Sequence, residues 1–147
     1  MSEDKMLDST TLHLVRPQDL NHHGTLFAGQ MASWLVEAGL IAASQLTGKP
    51  EDIVCVQING MTFDTPINLG DLIEIQSRIA FLGSTSITVY SQVFRKRDEK
   101  HLVSNMATFV SVDKNNKPYS HGFKLSDEYI ARNRDAYDLA AKARKGR

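Results

Sequence analysis

Between Gly24 and Gly48 the chain carries a single charged residue, Glu37, set among alanine, leucine, valine and isoleucine. Burying an unpaired carboxylate is costly, so a lone acid there needs a partner, a wet cavity or a raised pKa. Carboxylates held in such surroundings are suited to acid–base work on a bound substrate. Two structural uses compete with that one: an exposed sector of the helix, or an ion pair with Arg78 or Arg95. Just upstream runs Asn21-His22-His23-Gly24-Thr25-Leu26-Phe27-Ala28-Gly29-Gln30. A small pair, Ala28-Gly29, in the first turn of a helix lets a ligand approach bare backbone N–H groups at the positive end of the helix dipole. That arrangement suits a carbonyl oxygen that gains negative charge in a tetrahedral intermediate. Close helix–strand packing is the other use of such a pair.

Further residues invite weighing. His22 and His23 are proton-shuttle candidates beside the pocket, or polar surface. Trp34 reads as core or as a wall of a ligand pocket. Gln57 and Asn59 share strand parity with Cys55, so one of them can line a site. Cys55 itself is expected to be a buried strand residue, since nothing near it lowers a thiol pKa. Arg95-Lys96-Arg97 reads as a phosphate contact or a solvated strand end. No metal is expected, because His13, His22, His23, His101 and His121 show no ligand spacing and there is one cysteine.

The elements that must hold these residues follow from the pattern. Ser9–Arg16 alternates as a short strand ended by Pro17, and Gln18–Gly24 is a loop. Thr25 to Leu46 is predicted helical and apolar nearly all round, hence buried; Gly48 and Pro50 stop it. From Ile53 the period becomes two, with strands Ile53–Phe63, Asp71–Phe81, Ser86–Arg97 and Leu102–Val112 joined by short turns and therefore antiparallel. In Asp71–Phe81, Ile73, Ile75, Ile79 and Phe81 are expected on one face. The tail from Ser126, with Ser126 as N-cap, is predicted to be one helix, to about residue 144, that lies on the surface or frays. The 147 residues form one domain with an α+β order: strand, central helix, four antiparallel strands, outer helix. Lys plus Arg (17) balances Asp plus Glu (17), which leaves no global field for nucleic acid or an anionic membrane. No apolar stretch is clean enough for a membrane span or leader, so the expected address is the cytoplasm. A sheet with free edges makes homo-oligomerisation the expectation.

The run Asn21-x-x-Gly24-x-x-Phe27-Ala28-Gly29, followed by an apolar helix, resembles the acyl-CoA thioesterases of the hotdog fold. Phe63-Asp64-Thr65-Pro66 with Gly70-Asp71, Leu82-Gly83-Ser84-Thr85-Ser86, and Ala107-Thr108-Phe109-Val110 through Pro118 continue the likeness over residues 8–120. The resemblance implies a sheet wrapped around a central helix and hydrolysis of acyl-coenzyme A, with no cofactor beyond the coenzyme A of the substrate. It implies that Asn21 holds the thioester or water, that the N–H groups near Ala28 or Gly29 polarise the carbonyl, and that Gly83, Ser84 and Ser86 meet coenzyme A phosphates. It also implies sites across a homodimer interface, with tetramers or hexamers as further assemblies. Many members carry their acid nine residues after the Phe27 position, where this chain has Val36; Glu37 is one step later, about 100° around the helix. Glu37 is therefore expected to act as general base or nucleophile, with a non-catalytic acyl-CoA-binding module as the alternative. The fourteen-residue step from His23 to Glu37 resembles hotdog 3-hydroxyacyl-thioester dehydratases, but no proline lies between Leu26 and Gly29.

Overall fold

The computed structural model describes residues 7–145; the acidic N-terminal segment, residues 1–6, and the last two residues lie outside them. Five strands, β1 (Asp8–Leu14), β2 (Ile53–Ile58), β3 (Leu72–Leu82), β4 (Ser86–Arg95) and β5 (Lys100–Ser111), form one antiparallel sheet. Their order is β1-β3-β4-β5-β2, so β1 and β2 are the edges. The central helix α1 (Ala28–Thr47) crosses the inner face. Helix α1 starts later than Thr25 because residues 20–27 form a bridged loop: Leu20 bridges Leu26, Thr25 bridges Asn68, and Leu26 N–H donates to Ile67 O. It ends where expected, at Gly48 (φ 71°), whose N–H donates to Ser44 O.

Gly39 sets the approach of helix to sheet. A Cβ there would sit 2.9 Å from the buried Phe109 ring on β5. Two apolar clusters lie between α1 and the sheet, and a third, with Ala80, Met106, Ala136 and Ala140, lies under the tail helix. Met31, Trp34, Leu35 and Ala38 pack on Val15, Ile73, Ile75 and Val93; Ala42, Ala43 and Leu46 pack on Ile53, Ile79, Ile87 and Phe109. Between them a polar row crosses the sheet: Ser77, whose hydroxyl meets that of Ser91 at 2.7 Å, then Asn105, whose amide donates to Asn59 O. Each is buried and hydrogen-bonded, as an interior polar group must be.

Several expectations are corrected. Helix α1 is not buried all round, since Ser33, Glu37 and Ile41, one i, i+4 row, are exposed. Cys55 is exposed, because β2 is an edge strand and also bares Val56 (53%) and Ile58 (56%). Residues 59–66 leave the ladder after Ile58, so that strand stops short of Phe63. An irregularity between Ile79 and Phe81 turns Phe81 to the outer face, against Tyr137. The tail forms two helices, α2 (Asp127–Arg132) and α3 (Arg134–Lys145), separated at Asn133. Ser126 caps α2 by accepting from Tyr129 N–H. These helices are docked rather than frayed: Tyr129, Ala136 and Ala140 are buried, and Tyr129 Oη donates to Ile79 O at 2.6 Å.

Candidate active site

The loop before α1 is braced by Asn21. Its Oδ1 accepts from His23 N–H (2.8 Å) and Thr25 N–H (3.2 Å), and its Nδ2 donates to Thr25 Oγ1 (2.9 Å). Gly24 (φ 82°) closes this turn by donating its N–H to Asn21 O. Buried Asp19 then fixes the helix start, since its carbonyl accepts from Phe27 N–H. Phe27, the N-cap residue, accepts through its carbonyl from both Gln30 and Met31. The amides of Ala28 and Gly29 reach no acceptor among the described residues, and both residues are exposed. A Cβ on Gly29 would strike the Phe27 ring at 2.5 Å.

These two amides stand at the positive end of a 20-residue helix. Beside them lies a cavity of about 300 Å³ lined by Asn21, Thr25, Leu26, Ala28 and the stretch Phe63, Asp64, Thr65, Pro66 and Ile67. The structure thus brings Asn21 and Ala28 together, and adds Asp64, which sequence reasoning used only as part of a motif. The clue was an acid inside that motif. A larger hollow of about 430 Å³, lined by Gln76, Arg78, Gln92 and Asn133 among others, holds none of the candidate catalytic or substrate-binding residues.

Other site residues fall elsewhere. His22 and His23 are exposed at the loop tip, their rings 4.1 Å apart. Trp34 is a core residue (7% exposed) stacked on His13 at 4.4 Å. Gln57 is half-buried on the β2 edge. Glu37 lies outside the cavity on the open row of α1, and neither expected arginine pairs with it: Arg78 binds Asp135, and Arg95 binds Asp98. Val36 packs on the second apolar cluster. Burial holds the His13 pKa below its ordinary value, while Glu37 and then Asp19 oppose that and Arg16 reinforces it.

Gly83, Ser84 and Ser86 lie at the other end of the sheet. Ser86 is paired with Val110, which pairs with Val54, close to the C-terminal end of α1. Twenty residues of helix span about 30 Å, so one subunit does not bring this turn to Ala28. The cations of the Arg95-Lys96-Arg97 run are committed to carboxylates. Arg95 donates two hydrogen bonds to the Asp98 carboxylate, holding that carboxyl down at about 2; Lys96 pairs with Glu74 and Glu99, and Arg97 approaches Asp71. Among the described residues no group of three His, Cys, Asp or Glu is placed to hold a metal ion, and no helix is long and apolar enough to cross a membrane.

A sheet curled about one long helix, with exposed amides at the helix start, defines a class. The pattern of the thioesterase superfamily matches residues 23–101, and the chain belongs to that family. Its fold is the hotdog fold: a hexameric hotdog-fold thioesterase of Campylobacter jejuni superposes with a TM-score of 0.65 at 28% identity, covering 84% of this chain and 93% of that one. The acyl-CoA hydrolase of Staphylococcus aureus, solved with butyryl coenzyme A and coenzyme A, superposes with a TM-score of 0.80 at 24% identity, covering 97% of this chain and 87% of that one. An uncharacterised acyl-CoA thioester hydrolase of Buchnera aphidicola is 32% identical over 84 residues, 57% of this chain. The chain spans 61% of that relative's length, and 19% of the mouse acyl-coenzyme A thioesterase 11 that it also matches.

Proposed function

We propose that this chain hydrolyses the thioester of acyl-coenzyme A to a carboxylic acid and the free thiol. The observation that carries it is the start of α1, where two exposed amides without acceptors among the described residues stand beside a cavity at the positive end of the helix. Water adds to the thioester carbonyl carbon, and the electron pair of the C=O bond moves onto the oxygen facing the Ala28 and Gly29 amides. A general base takes the proton from that water. The carbonyl then re-forms, the C–S bond breaks, and the departing sulfur takes up the proton. Asn21 keeps the loop and the helix start in register, with His22, His23 and Gly24 on the rim of the site.

Glu37 is the proposed base. It stands on the open row of α1, where a second copy can enclose it. The exposed β2 edge supports such a copy: antiparallel pairing with its counterpart covers Val56 and Ile58, and lays the start of one α1 beside the end of the other. Gly83, Ser84 and Ser86 then come from the subunit opposite Ala28, and the hexameric Campylobacter relative supports further assembly of such dimers. A second reading makes Asp64 the base, because it lines the cavity with Asn21 and Ala28.

Thiol release from a panel of acyl-CoAs tests the proposal, with Glu37→Gln and Asp64→Asn measured beside the native chain. Loss with Glu37→Gln supports the first reading, and loss with Asp64→Asn alone supports the second. Tight acyl-CoA binding without thiol release refutes hydrolysis and indicates a binding module. An enoyl product from a 3-hydroxyacyl thioester indicates a dehydratase.

A further inference from the structure

Arg144, near the end of α3, differs from the other arginines close to the sheet. Its guanidinium lies over the Phe81 ring (5.2 Å) and donates to Ser86 Oγ at 3.3 Å, and no carboxylate pairs with it among the described residues. The turn beneath is shaped to receive it. A Cβ on Gly83 would sit 2.2 Å from Arg144 Nη1 and 2.4 Å from Ser86 Oγ, so the guanidinium rests on bare backbone. Gly83 N–H donates to Ser86 O, while the carbonyls of Ser84 and Thr85 accept from His121 and Ser111. The turn is thereby pinned with the amides of Ser84 and Thr85 lacking an acceptor among the described residues. His121 braces it from below through Nε2 to Ser86 O.

An unpaired guanidinium, a serine hydroxyl and two free amides on one pinned turn are the donor set that a phosphate group takes. We propose that Arg144 is a substrate-binding residue that grips a phosphate of the coenzyme A moiety, together with Ser86 and the Ser84 and Thr85 amides. This rests on the acyl-CoA reading given above and deepens it. Arg144 lies beyond residues 23–101, so the contact is an addition to the part of the chain that the family pattern covers.

The test compares an acyl-CoA with the same acyl group on pantetheine, which has the reacting thioester and no phosphate. Arg144→Ala is expected to raise KM for the acyl-CoA about tenfold at unchanged kcat, the scale of one exposed charge-assisted contact. Its kcat/KM for the acyl-pantetheine should match that of the native chain, which also shows that the variant is folded. Arg144→Lys, which keeps charge and loses the planar fork, should fall between the two. Lys142→Ala, an exposed cation on the same helix, should leave both substrates unaffected. Equal losses on both substrates, no loss on either, or a matching effect from Lys142→Ala would overturn the assignment. Should the native chain cleave neither thioester, the hydrolase reading fails alone, and calorimetric binding of coenzyme A decides this one: about tenfold weaker for Arg144→Ala supports it, and equal affinity refutes it.

Discussion

The start of α1 and the Gly83–Ser86 turn offer donors of different kinds. At the helix start they are neutral: the Ala28 and Gly29 amides offer partial charge that matters most in a dry, preorganised site. At the turn the donor is a full cation, Arg144. Partial charge fits an oxygen that turns negative only in passing, since it binds the neutral carbonyl weakly and the intermediate strongly. A full charge fits a group that is ionic throughout, and contributes to affinity without distinguishing the stages of a reaction. On the proposed reading the amides serve rate and the cation serves retention, and in the proposed dimer through β2 the two are neighbours.

The strongest way to break this contrast is Glu37→Gln. Loss of a general base lowers turnover about 100-fold or more while leaving KM nearly constant. Thiol-release kinetics check it, and an unchanged kcat removes Glu37 from the mechanism. Next in size is Val56→Arg on the β2 edge. A charge forced into an apolar pairing disfavours assembly, so the oligomer should dissociate by light scattering and turnover should drop about tenfold or more. Full activity in a monomer would show that one subunit holds the whole site. Gly39→Ala sharpens the contrast from the middle of the helix. Its methyl meets Phe109 at 2.9 Å; crowding costs about 1–3 kcal/mol and improved helix propensity returns about 1, for a net loss near 1 kcal/mol by denaturant unfolding. A stabilised variant would mean that helix and sheet are free to separate there.

The smallest effect is expected from pH. Burial holds His13 below its ordinary 6.5, so the unfolded chain binds its proton more readily. The stability linked to this group is therefore complete above 6.5 and declines as pH falls from there towards the folded value. Trp34, the one tryptophan, stacks on His13 and reports the event. Its emission should titrate with a midpoint under 6.5, and His13→Phe should abolish the step. A midpoint at or above 6.5 would show that Glu37 and Asp19 outweigh burial.

Much of the fold was legible because its signals are local. Gly48 and Pro50 announced the end of α1, and Ile73, Ile75 and Ile79 marked an inward face by alternation. What stayed hidden depends on strand order and on docking. Cys55 and Val56 look like interior residues until β2 proves to be an edge. Phe81 changes face because of an irregularity that leaves no mark in the residue types. Around α1 almost every position is apolar, so periodicity does not reveal which sector the sheet leaves uncovered; Glu37 stands in that sector. The loop with Asn21 and Ala28 was readable from its glycines and small pair, whereas Asp64 joins it only through the return of residues 59–66. Arg144 was unreadable, since nothing local says where the end of a tail helix will rest.

The row of Ser77, Ser91 and Asn105 works as a bulkhead across the interior. Substitutions on opposite sides of it share no partners, so trimming Ile75 and trimming Ile87 should add in free energy. Removing one hydroxyl of the serine couple strands the other, while replacing both with alanine leaves nothing unmet. Such a compartmented interior lets one hold be refitted to a different cargo while the other keeps the hull sound.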